Sequence, residues 1–145
     1  MIAIVQEPID VNALLRSVQD EAVGAIVLFL GTVRNNDDDG AVSELYLESY
    51  VEMAQEALKK IDQEATQRWN LKKFAAVHRV GNLKVGEIIV AIAVASGHRK
   101  EAFEACRFAI DKLKKTAPIW KKEISGSSAR WVEGVMLEDN QDGNV

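Results

Sequence analysis

The chain has 145 residues, 22 acidic against 18 basic side chains and a formal charge of −4. Apolar residues at 48% and charged residues at 28% are globular proportions and exclude a disordered or fibrous chain. The longest nearly unbroken apolar run, residues 22–31, has ten residues, half of the roughly 20 that a membrane-crossing helix needs.

Residues 1–6 alternate weakly and predict a short strand. Asp10 then has the character of an N-cap, with Val11, Leu14, Leu15 and Val18 at helical spacing behind it. Ile9 before that cap and Leu14 within the first turns form the pattern of a hydrophobic staple. Residues 22–30 are continuously apolar and rich in branched side chains, the pattern of a strand buried on both faces. Gly31-Thr32-Val33-Arg34 ends that strand, and residues 35–40 form a polar loop. Residues 42–50 predict a strand with Leu45 and Leu47 on one face.

Val51, Ala54, Leu58, Ile61 and Ala65 mark a helix ending near Trp69-Asn70. Residues 74–80 predict a strand, followed by a turn punctuated by Gly81-Asn82 and Gly86. Residues 88–95 form a second fully apolar, central strand. Ala102, Phe103, Cys106, Ala109, Ile110 and Leu113 define a periodic helix that must stop before Pro118, because a residue preceding proline avoids helical geometry. Residues 119–124 and 131–135 are late strands around a Gly-Ser turn at 125–128. Three helices among six or seven strands predict an α+β layer fold with helices covering a mixed or antiparallel sheet. The expected organisation is one domain over residues 1–137 and an acidic tail over 138–145.

Several motif templates fail. Asn35, Asp37, Asp39 and Gly40 match the start of a calcium loop, but Tyr46 stands where a bidentate glutamate is required. Gly81 to Gly86 has the spacing of a phosphate loop, with Glu87 in place of its lysine. Two histidines and one cysteine show no zinc-ligand spacing, so no metal site is expected. Cys106, on the apolar face of its helix, reads as a packing residue with a raised pKa. A lone cysteine fits a reducing compartment, and the early Gln6, Glu7 and Asp10 break the layout of a signal peptide, so the expected location is cytoplasmic.

What remains is cationic. Five lysines and no acid lie between Lys112 and Lys122, a local +5 that leaves −9 on the other 134 residues. Nucleic-acid binding usually accompanies a basic balance over a whole domain; a confined basic segment suits a small anion or an acidic tail, or else is a solvated helix end. His98-Arg99-Lys100 opens a helix, where cations are unfavourable unless a bound anion offsets the dipole or the side chains bend into solvent. Arg34 leaves the C-terminal end of a strand, a frequent ligand-contact position, yet also within reach of the acids at 37–39. Lys114 suits the dipole at its helix end, while the bend at Pro118 allows Lys114 and Lys121 to share one concavity and lower each other's pKa. Arg130 beside Trp131 is either a further anion contact or a stacked pair.

Gly31-Thr32-Val33-Arg34-Asn35, His78-Arg79-Val80-Gly81, His98-Arg99 with Ala102-Phe103-Glu104-Ala105, and Ala117-Pro118-Ile119-Trp120-Lys121-Lys122-Glu123 appear in this order over residues 23–133. In these segments the chain resembles the molybdopterin synthase large-subunit (MoaE) family. The resemblance implies an α/β-hammerhead fold and a sulfurtransferase of molybdenum-cofactor biosynthesis without a cofactor of its own. Its implied substrate is cyclic pyranopterin monophosphate, which receives sulfur to become the dithiolene of molybdopterin. The implied sulfur donor is a small ubiquitin-like carrier subunit with a C-terminal Gly-Gly thiocarboxylate, in an assembly of two large and two small subunits whose pocket draws on both large subunits. By motif position the resemblance makes Lys114 and Lys121 the catalytic lysines. It makes Thr32, Val33, Arg34, His98, Arg99, Lys122, Glu123 and Arg130, with the two lysines, the substrate-binding set. The basic segments agree in kind, because a cyclic phosphate and a thiocarboxylate are both anions, and no nucleic acid or membrane is called for. The alternatives are a non-catalytic module that binds a nucleotide-like anion or an acidic protein tail, and a rhodanese-like transferase, which needs an exposed, acidic cysteine.

Overall fold

The first helix starts where the sequence places it, because the Asp10 carboxylate accepts a hydrogen bond from the Ala13 N–H at 3.0 Å. The structure, a computed structural model, describes residues 1–37, 40–125 and 128–132; the tail at 138–145 and the tips of the acidic loop and the Gly-Ser turn lie outside them. The elements run β1 (Ile2–Val5), α1 (Val11–Ser17), β2 (Ala25–Thr32), the short pair β3 (Asn36–Asp37) and β4 (Gly40–Ala41), then β5 (Glu44–Ser49) and α2 (Val51–Trp69). They continue through β6 (Lys73–Arg79), β7 (Gly81–Lys84), β8 (Ile88–Ser96), α3 (Arg99–Thr116), β9 (Ile119–Ser125) and β10 (Ser128–Val132).

Eight of these strands form two sheets where one was expected. The first has the order β1-β6-β8-β2 and is mixed, since β1 runs parallel to β6 and the other neighbours are antiparallel. The second, β10-β9-β5-β7, is antiparallel throughout. Residues 81–84, expected as a turn, instead pair with β5 and form an edge of the second sheet. Gly81 at φ +100° and Gly86 at φ +91° supply the left-handed backbone that lets the chain leave β6, form β7 and return as β8.

One face of the first sheet packs against α2, α3 and the inner face of the second sheet, in a cluster that includes Val33, Leu45, Leu47, Val80, Leu83, Leu113, Ala117 and Ile119. Helix α1 covers the other face through Leu14 and Val18, with Ile9 packed against the same cluster. The apolar run of β2 is not buried on both faces as its composition suggested. β2 pairs with β8 alone, so it is an edge strand that leaves Ile26 and Leu30 exposed. The interior strands are β6 and β8, the latter almost wholly buried from Val90 onward.

At the start of β2, a Cβ built on Gly24 would lie 2.3 Å from the Gly97 carbonyl oxygen, a backbone atom that cannot swing aside. This approach ties the entry of β2 to the exit of β8 just before His98. Gly24→Ala is expected to lower stability by about 1–3 kcal/mol through overpacking, measurable by chemical denaturation.

Candidate functional site

The sheet has two ends, and the cations divide between them. Because β2 and β6 both run antiparallel to β8, the ends of β2 and β6 lie beside the start of β8, with Gly31 opposite Val90 and His78 opposite Val90. The register slips between Gly31 and Thr32, an irregularity that re-aims the residues after it. Val33 then locks the segment: its side chain is in the core, its N–H donates to the Glu87 carbonyl at 3.0 Å, and its carbonyl accepts from the Gly86 N–H at 2.9 Å. Val33 therefore anchors, while Thr32 and Arg34 on either side are exposed.

Helix α3 ends at the same place. Ala117 takes extended geometry (φ −81°, ψ 129°), as a residue before proline must, and its N–H donates to the Leu113 carbonyl at 3.1 Å. Two residues later the chain is already β9, in which Lys121 lies opposite the buried Leu47. Lys114, Lys121 and Arg34 are thereby brought within reach of one another's charge. Lys114 is accessible as a residue, yet protein crowds its ammonium. Its pKa falls below the ordinary lysine value, first through desolvation, then through the positive charges of Lys121 and Arg34.

Neighbouring residues on a strand face opposite ways, so β9 splits its own basic pair. Lys122 lies opposite Tyr46 on one side and Trp131 on the other. Its ammonium sits 5.2 Å from the Trp131 ring centre, and Trp131 meets Tyr46 edge-on at 6.4 Å. Lys122 is thus held on the sheet face away from Lys121. Glu123 lies opposite Leu45 and Arg130 in register, in step with Lys121.

His98 and Arg99 belong to the other end. Both are exposed at the start of α3, and His98 caps the helix without a side-chain hydrogen bond. Fifteen residues of continuous helix separate Arg99 from Lys114, about 22 Å along its axis. The sheet repeats that separation, because Ser96 lies opposite Ala25 while Arg34 follows the far end of the same strand. A single chain therefore joins Arg34, Lys114 and Lys121 and keeps His98-Arg99 apart from them.

Sequence reasoning gave His78 no role. It is 6% exposed in β6, and its Nδ1 lies 2.9 Å from the Arg79 carbonyl oxygen. Burial pushes its pKa down to about 4, the Arg79 carbonyl opposes the shift, and the Lys114 charge adds to it. The sequence signal was a lone histidine within an otherwise apolar strand run, Phe74 to Val80, apart from Arg79. Cys106 is buried and its thiol is pushed up to about 11, the reverse of what a persulfide carrier requires.

A family model described as MoaE protein matches residues 4–116, a span that includes Lys114 and ends before Lys121. The molybdopterin synthase catalytic subunit of Ralstonia nicotianae is 48% identical over 117 residues, 81% of this chain and 66% of that one. The protein of the same name from Pseudomonas aeruginosa is 46% identical over 125 residues, 86% and 82% of the two chains. The crystal structure of molybdopterin synthase from Staphylococcus aureus aligns with a TM-score of 0.86 at 38% identity, covering 90% of this chain and 95% of that one.

The depressed His78 pKa has a stability consequence. The unfolded chain takes up a proton near the ordinary value of 6.5 and the folded chain only near 4, so this contribution is intact above pH 6.5 and is lost as pH falls towards 4. The loss is of the order of 3 kcal/mol. Denaturant titrations across this range are expected to show that decline, and His78→Gln is expected to flatten it.

Proposed function

The chain belongs to the MoaE family, and on that premise we propose that it is the catalytic subunit of a molybdopterin synthase working in the cytoplasm. It takes sulfur from the C-terminal Gly-Gly thiocarboxylate of a small ubiquitin-like carrier subunit and passes it to cyclic pyranopterin monophosphate, building the dithiolene. The observation that carries this reading is the cluster of Arg34, Lys114 and Lys121, in which Lys114 is driven towards its neutral form.

The chemistry suits that cluster. The phosphate and the thiocarboxylate are anions, and desolvated cations stabilise negative charge far better than hydrated ones. Arg34 offers the planar fork that fits a phosphate, and exposed Thr32 stands beside it. Lys121 supplies a second positive contact, with Glu123 two residues along β9 and Arg130 paired opposite Glu123. Lys114, with its weakened hold on a proton, exchanges protons with the reacting groups. Buried Cys106 takes no part, so the sulfur comes from the carrier. Lys122, committed to the Trp131 ring on the opposite face, is left out of the contact set. His98 and Arg99 complete the pocket from a second copy of the chain, since about 22 Å of helix keeps them from their own Lys114.

Lys114→Ala is expected to fold with an unchanged melting temperature and to lose about two to three orders of magnitude in dithiolene formation. The assay supplies the pterin precursor and thiocarboxylated carrier; wild-type turnover would remove Lys114 from the mechanism, and binding without turnover in the unmodified chain would favour a non-catalytic module. Lys121→Met removes a positive charge that lowers the Lys114 pKa, so the rising limb of rate against pH is expected to move to higher pH. Initial rates over roughly pH 6–10 give its position independently of its height.

A further inference from the structure

Among the described residues two polar side chains are buried, His78 and Ser96, and only His78 stands at the Arg34 end of the first sheet. Ile4, His78, Val90 and Gly31 form one row across β1, β6, β8 and β2, so their side-chain positions share a face. Ile4 and Val90 on that face pack in the same cluster as Leu113, the residue before Lys114. The row ends at Gly31, three residues before Arg34. His78 therefore looks into the layer where α3 terminates.

The ring's state follows from its one described hydrogen bond. A carbonyl only accepts, so the Nδ1 facing the Arg79 oxygen at 2.9 Å carries the hydrogen and Nε2 is bare. The charged groups around it favour this neutral form. Lys114 approaches from α3 and is itself faced by Lys121 from β9 and Arg34 beyond β2. The guanidinium of adjacent Arg79 is turned to the Gln6 carbonyl at 3.0 Å and to Glu87 at 3.4 Å. A polar ring in an alanine- and valine-rich strand costs desolvation that an apolar side chain would avoid.

We propose that His78 is a positioning residue for Lys114: its neutral ring, locked as the Nδ1–H tautomer, supplies an Nε2 acceptor that orients the Lys114 ammonium, directly or through one water. This rests on the reading of Lys114 as the reacting lysine. It explains how a lysine among cations keeps a defined direction.

The test compares His78→Gln, which retains an acceptor near the Nε2 position, with His78→Leu, which removes it at similar volume. Both are assayed as full chains with the carrier subunit for kcat and KM. Separately, the pH dependence of Lys114 acylation by an amine-reactive ester is read by residue-resolved mass spectrometry. His78→Leu is expected to lose roughly tenfold or more in kcat with KM for the pterin within about twofold. Its labelling curve is expected to move to lower pH, because an ammonium deprived of its acceptor gives up its proton more readily. His78→Gln is expected to restore kcat to within about threefold and to return the labelling curve to the wild-type position. A His78→Leu labelling curve that superimposes on wild type overturns the proposal, as does an equal loss of activity in both variants that tracks their melting temperatures. Labelling needs no turnover, so a chain that forms no dithiolene removes the synthase reading, whereas an unmoved curve removes only the role given to His78.

Discussion

Three positive side chains at one end of a sheet, with protein crowding the ammonium of the middle one, Lys114, are the constraint on which the rest depends. Arg34, Lys114 and Lys121 repel one another, and at Lys114 that repulsion adds to desolvation. The arrangement persists because each cation is tied to a core residue beside or opposite it. Val33 precedes Arg34, Leu113 precedes Lys114, and Leu47 lies opposite Lys121, all in one buried cluster. Apolar burial thus holds charges where their own electrostatics would not.

The element that carries Lys114 is α3. Its C-terminal turn carries Lys114 and its N-terminal turn carries His98-Arg99, so a single helix presents cations to both ends of the molecule. It is clamped to α2 by the Trp69 indole N–H, which donates to Glu104 at 3.0 Å. The Trp69 and Phe108 rings, tilted against each other with centres 5.2 Å apart, and Arg68 over the Trp69 ring at 4.5 Å reinforce that clamp. A straight helix cannot fold its own ends together, and this is why the proposed pocket requires a second copy to bring His98 and Arg99 to Lys114.

Much of the fold was legible because local physics decided it. Asp10 capped α1, the 3.6-residue periodicity marked α2 and α3, and Pro118 stopped α3. The readings that failed share a cause. The apolar run of β2 has the composition of a doubly buried strand, but an edge strand and a central strand can carry the same side chains, and only pairing distinguishes them. Gly81 and Gly86 marked a turn, yet the residues between them form β7, because strand pairing with β5 overrode their turn composition. At the site, Arg34, Lys114 and Lys121 were visible as cations near element ends. The burial of His78 was not, since a single histidine in an apolar strand has no spacing to announce it.

The sequence by itself determined the chemistry available: a confined basic segment, a helix ended by lysines at a proline bend, a cysteine on an apolar face, and motifs of one family. Those properties are short-range, set by residues a few positions apart. Only the tertiary structure decided which cations meet: that Lys121 lies opposite Leu47 and with Arg34 acts on Lys114, and that Lys122 is held on the Trp131 ring. Proximity across strands depends on register, and register is fixed by packing between residues that lie far apart in the chain.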